Sequence, residues 1–183
     1  NITFSNGVIH LAASTTLLVD SEGGAIDINS IMGAADSDIG VTLDADASGG
    51  DVAGETVTIG AVGSGNEIGA LTITGPDGIT LTGNITLSNK AGSDLDINGA
   101  VTIDGSVTID TDNASATRDG NTVHQDGDIN FSSTIDAAAS GTNNLTIKAG
   151  DTAAGTPTLT LSGAIGGGTA LDALSINAGS STM

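Results

Sequence analysis

Residues 79–109 read ITLTGNITLSNKAGSDLDINGAVTIDGSVTI, and this stretch decides the fold. It contains five triplets: Ile79-Thr80-Leu81, Ile85-Thr86-Leu87, Leu95-Asp96-Ile97, Val101-Thr102-Ile103 and Val107-Thr108-Ile109. Each sets a polar side chain between two aliphatic ones. Side chains alternate between the two faces of a strand, so each triplet predicts a short strand with one face in and one face out. Gly, Asn, Asp or Ser follows each triplet within two residues, and these turn the chain at low cost. No window carries the period of an amphipathic helix, and the chain is expected to be all-β.

From Leu71 to Ile109 the triplets recur at mostly six- to eight-residue intervals, with no longer hairpin arms. That rhythm predicts a parallel β-helix, or β-solenoid, of short faces joined by tight corners. In-register stacking then puts aliphatic on aliphatic inside and Thr on Thr outside. Residues 1–183 are expected to form one continuous solenoid. About eight coils at roughly 4.8 Å each would make a rod of about 40 Å.

The composition suits a thin aliphatic core. There are 28 Gly, no Cys, Trp or Tyr, and two Phe, Phe4 and Phe131. Ile, Leu, Val and Ala must fill the interior. Disorder is the rival for an acidic, Gly-rich chain, but 38% apolar residues, arranged in triplets, are too many to leave in water. The formal net charge of −19 repels phosphate, which excludes nucleic acid and anionic membrane surfaces as partners. No apolar run reaches the length of a membrane-spanning helix, so no membrane insertion is expected. Lacking Cys, the chain has no disulfide framework, thiolate metal site or Cys nucleophile. It begins at Asn1 without a signal peptide and reads as a mature or excised piece of something longer.

A longer period overlies the triplets. The block at 24–30 (GAIDINS) returns at 127–133 (GDINFSS), with Ile26 and Ile129 offset by 103 residues. Gly60-Ala61-Val62-Gly63 returns as Gly163-Ala164-Ile165-Gly166, and Leu71-Thr72-Ile73 as Leu174-Ser175-Ile176, again 103 residues on. Val41-Thr42-Leu43 returns as Leu145-Thr146-Ile147 after 104. The chain is divided accordingly into a partial first repeat, 1–78, and a second, 79–183.

The strand-and-turn order of LTIKAG at 145–150, LTLSGAIGG at 159–167 and LDALSINA at 171–178 resembles the repeats of filamentous-haemagglutinin-like adhesins and related β-strand-repeat giant bacterial exoproteins. The resemblance is clearest over 127–178 and weaker over 24–75. It implies a right-handed parallel β-helix at the bacterial cell surface or secreted, and it brings no catalytic residues.

The residue chemistry points away from catalysis, and the chain is expected not to be an enzyme. His10 and His124 are the only imidazoles and have no metal-ligand spacing. A polysaccharide lyase needs a cation near its acidic sugar, and Lys90, Arg118 and Lys148 are the only three. A hydrolase needs two carboxylates across a cleft. The many Asp allow that, but no Trp or Tyr offers a sugar platform.

Calcium is the one cofactor the pattern suggests. Asp36/Asp38, Asp44/Asp46, Asp94/Asp96, Asp110/Asp112 and Asp126/Asp128 are paired two residues apart, which on a strand places both on one face. The favoured metal site is Asp110, Asp112, Asp126 and Asp128, around the Gly/Asn-rich insertion 113–121. Solvated turn carboxylates explain the same pattern without a metal. The triplets Asn84-Ile85-Thr86 and Asn144-Leu145-Thr146 fit the glycosylation acceptor pattern, and in Thr-rich repeats such triplets arise by chance.

These features together predict a structural, non-enzymatic, extracellular segment: the stalk or filament of a bacterial repetitive adhesin. The alternative is a self-assembling subunit of an extracellular filament, sheath or biofilm matrix fibre. A polysaccharide-acting β-helix enzyme ranks behind both. The expected partners are further copies of the chain end to end, or its own continuation, and a host or matrix surface.

Overall fold

The triplets become strands. The computed structural model describes residues 1–12, 16–34, 39–50, 52–88, 92–111, 127–150, 157–178 and 180–182. Among them the chain is all-β, with eighteen strands and no helix. It opens with β1 (Ile2–Phe4) and β2 (Ile9–His10), followed by β3 (Leu17–Asp20) and β4 (Ile26–Met32). Next come β5 (Val41–Asp44), β6 (Thr56–Val62), β7 (Leu71–Thr74), β8 (Gly78–Leu81) and β9 (Ile85–Thr86). The central strands are β10 (Leu95–Asn98), β11 (Val101–Ile103) and β12 (Ser106–Asp110). The rest are β13 (Ile129–Phe131), β14 (Ile135–Ala137), β15 (Asn144–Lys148), β16 (Thr158–Leu161), β17 (Ala173–Asn177) and β18 (Ser180–Thr182).

Every pairing of these strands is parallel, in two sheets. The seven-stranded sheet runs β3, β5, β7, β10, β13, β16, β18, in chain order, and forms a first ladder seven strands deep. The eleven-stranded sheet is two ladders that share their long strands. In β4, Ile26, Asp27 and Ile28 pair with Val57, Thr58 and Ile59 of β6, and then Ser30 and Ile31 pair with Ala61 and Val62. From the first half of β6 a second ladder continues through β8, β11 and β14; from its second half a third continues through β9, β12, β15 and β17. The chain therefore visits the first, second and third ladders in turn and comes back to the first, as in β7, β8, β9, β10.

The step from second to third ladder inside β4 and β6 falls at Asn29 and Gly60. A Cβ on Gly60 would lie 2.0 Å from the Asn29 carbonyl oxygen. Only glycine admits so close a backbone approach.

The alternation decides what is buried. Val41, Leu71, Leu95, Ile129 and Leu159 are consecutive partners in the first ladder. Ile26, Val57, Ile79, Val101 and Ile135 stack likewise in the second, and Ile31, Val62, Ile85, Ile109 and Ile147 in the third. All fifteen are buried and belong to one core. Burying each such side chain is worth about 1.5–3 kcal/mol. Thr58, Thr80 and Thr102 stack on the outside of the second ladder. One expectation needs amending: Phe131 is fully buried, in register between Ile97 and Leu161, so one aromatic does enter the aliphatic interior.

One pair of glycines 103 residues apart keeps its local geometry. Gly63 and Gly166 both have positive φ, 73° and 66°, and a Cβ on either would lie 3.3 Å from the Cα four residues on, at Glu67 and Ala170. The ladders that the matched blocks occupy differ. Ile26 stands in the second ladder and Ile129 in the first; Leu71 stands in the first and Leu174 in the third.

Candidate functional site

Of the four carboxylates proposed for calcium, Asp112 and Asp126 lie outside the described residues, as do Asp36, Asp38, His124, Lys90, Arg118 and the insertion 113–121. Asp110 ends β12, where Lys148 of β15 is its in-register neighbour. The Lys148 ammonium donates to Asp110 Oδ2 at 3.1 Å. Asp128 is exposed just before β13, and its Oδ1 accepts the Thr158 backbone N–H at 2.7 Å. The residues beside these two carboxylates are brought together: the buried Thr111 hydroxyl donates to the Gly127 carbonyl at 2.9 Å. Among the described residues no group of three or more His, Asp or Glu side chains is placed to hold a metal ion.

Other described aspartates serve the corners. Asp94 Oδ1 accepts the Asp128 N–H at 2.9 Å, and Asp136 Oδ1 accepts those of Gly168 and Thr169 at 2.8 and 3.2 Å. In each case a carboxylate of one circuit satisfies a backbone donor of the next, a charge-assisted bond stronger than a neutral one. Asp44 Oδ1 turns back on the Asp46 N–H at 3.1 Å. Asn84 Oδ1 accepts from the Thr108 N–H at 2.8 Å, and Asn144 Nδ2 donates to the Ser106 hydroxyl at 3.2 Å, so both acceptor-pattern asparagines also join circuits. His10 is exposed at the end of β2.

One group went unnoticed in the sequence. Glu55 is fully buried at the end of the excursion that joins β5 to β6. Its Oε1 accepts the N–H groups of Ala47 and Val52, both at 3.1 Å, and ties the excursion across its neck. Oε2 is buried without a hydrogen-bond partner. The circuits on either side hold the same excursion. Glu22 Oε2 accepts from the Ser48 hydroxyl at 2.9 Å, and Asp77 Oδ2 accepts from the N–H groups of Gly54 and Glu55 at 2.5 and 3.2 Å. Three carboxylates from three successive circuits thus clasp one acidic surface loop. Only the position of Glu55, one residue ahead of a strand and after a Gly, hinted at this. Its partners are backbone amides, which carry no sequence signature.

The outermost layers of the stack differ from its middle. Phe4 is the in-register partner of buried Ile28 yet is 49% exposed, and Leu174, partner of buried Leu145, is 41% exposed. Between them lie the fully covered columns. Comparison with family models, with curated proteins and with solved structures gives no match.

Proposed function

We propose that the chain is a parallel β-solenoid with a structural, non-enzymatic role: a stalk or filament segment of a bacterial repetitive surface protein, outside the cell. The observation that carries this reading is the set of three aliphatic columns in register through successive circuits. No circuit buries its own apolar face; each is covered by its neighbours, so length adds stability instead of strain. Polar outer columns such as Thr58, Thr80 and Thr102 keep the sides in water. The extracellular placement rests on the acidic, Cys-free composition and on the resemblance in repeat style.

A self-assembling subunit of an extracellular filament, sheath or matrix fibre is the second reading. Open strand edges with apolar side chains are templates for further strands. A polysaccharide-acting enzyme ranks third and would release reducing ends from acidic polysaccharide.

Negative-stain electron microscopy of the purified chain, with calcium and again with chelator, tests these readings. Short monodisperse rods fit a stalk segment. Long unbranched fibres make end-to-end assembly the leading reading, and fibres only with calcium make the ion part of that assembly. Compact globules would refute the solenoid.

A further inference from the structure

The long sequence period and the circuit do not share a common length. Leu71 on β7 and Leu174 on β17 are matched residues 103 apart. Between them the chain passes β8 to β16 and the bridge at Ile165, so β17 is the eleventh ladder position after β7. The same count leads from Ile26 to Ile129 and from Val41 to Leu145. A circuit visits three ladders, and eleven is one short of four full circuits. Each match therefore slips one ladder back: second to first, first to third, and, for Val62 and Ile165, third to second.

All three kinds of slip occur in the one chain, and local geometry survives them. Gly63 and Gly166 keep the same left-handed turn although one follows a third-ladder strand and the other a second-ladder bridge. The inward-outward alternation survives too, because the offset carries whole strands. Ladder identity is thus not written into the repeated sequence; each matched block serves on two different ladders.

We infer that the repeating unit of this protein is eleven ladder positions, so that successive units present the same surface feature on the three ladders in turn. Three units of eleven positions make eleven whole circuits, after which the display starts again. This deepens the solenoid reading and rests on it. A feature such as the acidic excursion between β5 and β6 is then carried around the axis as units follow one another, and does not line one side.

Engineered disulfides test the slip in the intact chain, which has no Cys of its own. In-register residues of adjacent parallel strands lie about 4.8 Å apart, within disulfide reach. Asp96 and Asn130 are such partners in the first ladder, and Thr146 and Ser175 in the third. Diamide oxidation of the Asp96→Cys/Asn130→Cys and Thr146→Cys/Ser175→Cys variants is expected to crosslink most molecules, read by intact mass and gel mobility. Repeats of whole circuits would instead set Asn130 on the ladder of Asp27, beside Thr102, and Ser175 on that of Thr72, beside Thr160. Crosslinking of Thr102→Cys/Asn130→Cys or Thr160→Cys/Ser175→Cys in place of the first pairs overturns the eleven-position unit. The control pair Thr42→Cys/Thr72→Cys is in register under either arrangement. If the control forms and the first pairs fail, the unit is wrong and the stack stands; if the control also fails, the solenoid reading falls with it.

Discussion

The hydroxyl of Thr111 and the carbonyl of Gly127, 16 residues apart in sequence, meet in a buried hydrogen bond of 2.9 Å. It joins the end of the third-ladder strand β12 to the start of the first-ladder strand β13. Replacing Thr111 with Val keeps the shape and leaves the carbonyl unpaired, at a cost of about 1–3 kcal/mol. Urea midpoints followed by far-ultraviolet circular dichroism should show that loss, and Thr111→Ser should recover most of it. A Val variant as stable as the parent would mean that the bond contributes nothing.

Phe131→Ala removes the largest fully buried side chain from between Ile97 and Leu161. The expected loss is about 3–5 kcal/mol, the sum of transfer and cavity terms. Phe4→Ala, at a half-exposed position in the first strand, should cost well under half as much. Similar losses at both sites would contradict the burial gradient along the stack.

Gly60→Ala and Gly40→Ala make a contrasting pair. A Cβ at Gly60 meets the Asn29 carbonyl at 2.0 Å, whereas at Gly40 nothing lies within 4 Å. The first substitution should destabilise by about 3 kcal/mol or more, and the second should stay within roughly 0.5 kcal/mol of neutral. Thermal melts of the two variants side by side decide the point.

Glu55→Ala leaves the amides of Ala47 and Val52 without their acceptor. The neck of the excursion should open, and limited proteolysis within residues 45–54 should speed up while the strands stay protected. Glu55→Gln keeps the accepting oxygen and should restore resistance in part. Equal cleavage rates in Glu55→Ala and the parent would count against the clasp.

Asp20 and Asp44 are in-register neighbours on adjacent strands, and like charges so placed repel. Asp20→Asn retains an oxygen for the Glu22 N–H that Asp20 Oδ1 accepts at 2.9 Å. It should therefore stabilise by about 0.2–1 kcal/mol at low salt. The gain should shrink as salt rises, since screening relieves the parent's repulsion. A gain independent of ionic strength would point to some other cause.

Much of the strand pattern was legible because inward and outward positions differ in chemistry. Val101-Thr102-Ile103 could be read as in, out, in from three letters, and the structure makes it buried, half-buried, buried. The seven-residue strands β4 and β6 were harder, because each crosses from one ladder to the next, and Gly60, which permits the crossing, reads as a turn residue. Ladder identity was not legible at all: the same block serves on different ladders, so no local signal tells Leu71 from Leu174. The acidic pairs were visible as pairs, but Asp94 and Asp128 accept from backbone amides one circuit away, those of Asp128 and Thr158. Only a three-dimensional stack supplies those donors. Of the proposed calcium site, Asp110 proved to be paired with Lys148, a cross-strand neighbour 38 residues distant that spacing alone could not bring near.

The strand register also bears on how such a chain acquires its structure. Partners in the ladders lie between 22 residues apart, as for Ile79 and Val101, and 38 apart, as for Ser106 and Asn144. The loop to be closed for each new layer is therefore of nearly constant size, and closure entropy depends only weakly on that size. The difficult event is the first pair of layers, with no template to dock on. Every later layer meets an edge already in place, so growth proceeds like a zipper from wherever it starts. Lengthening the chain then adds steps without raising the barrier, and a very long protein of this design could order itself from the end first released while the remainder is still being made.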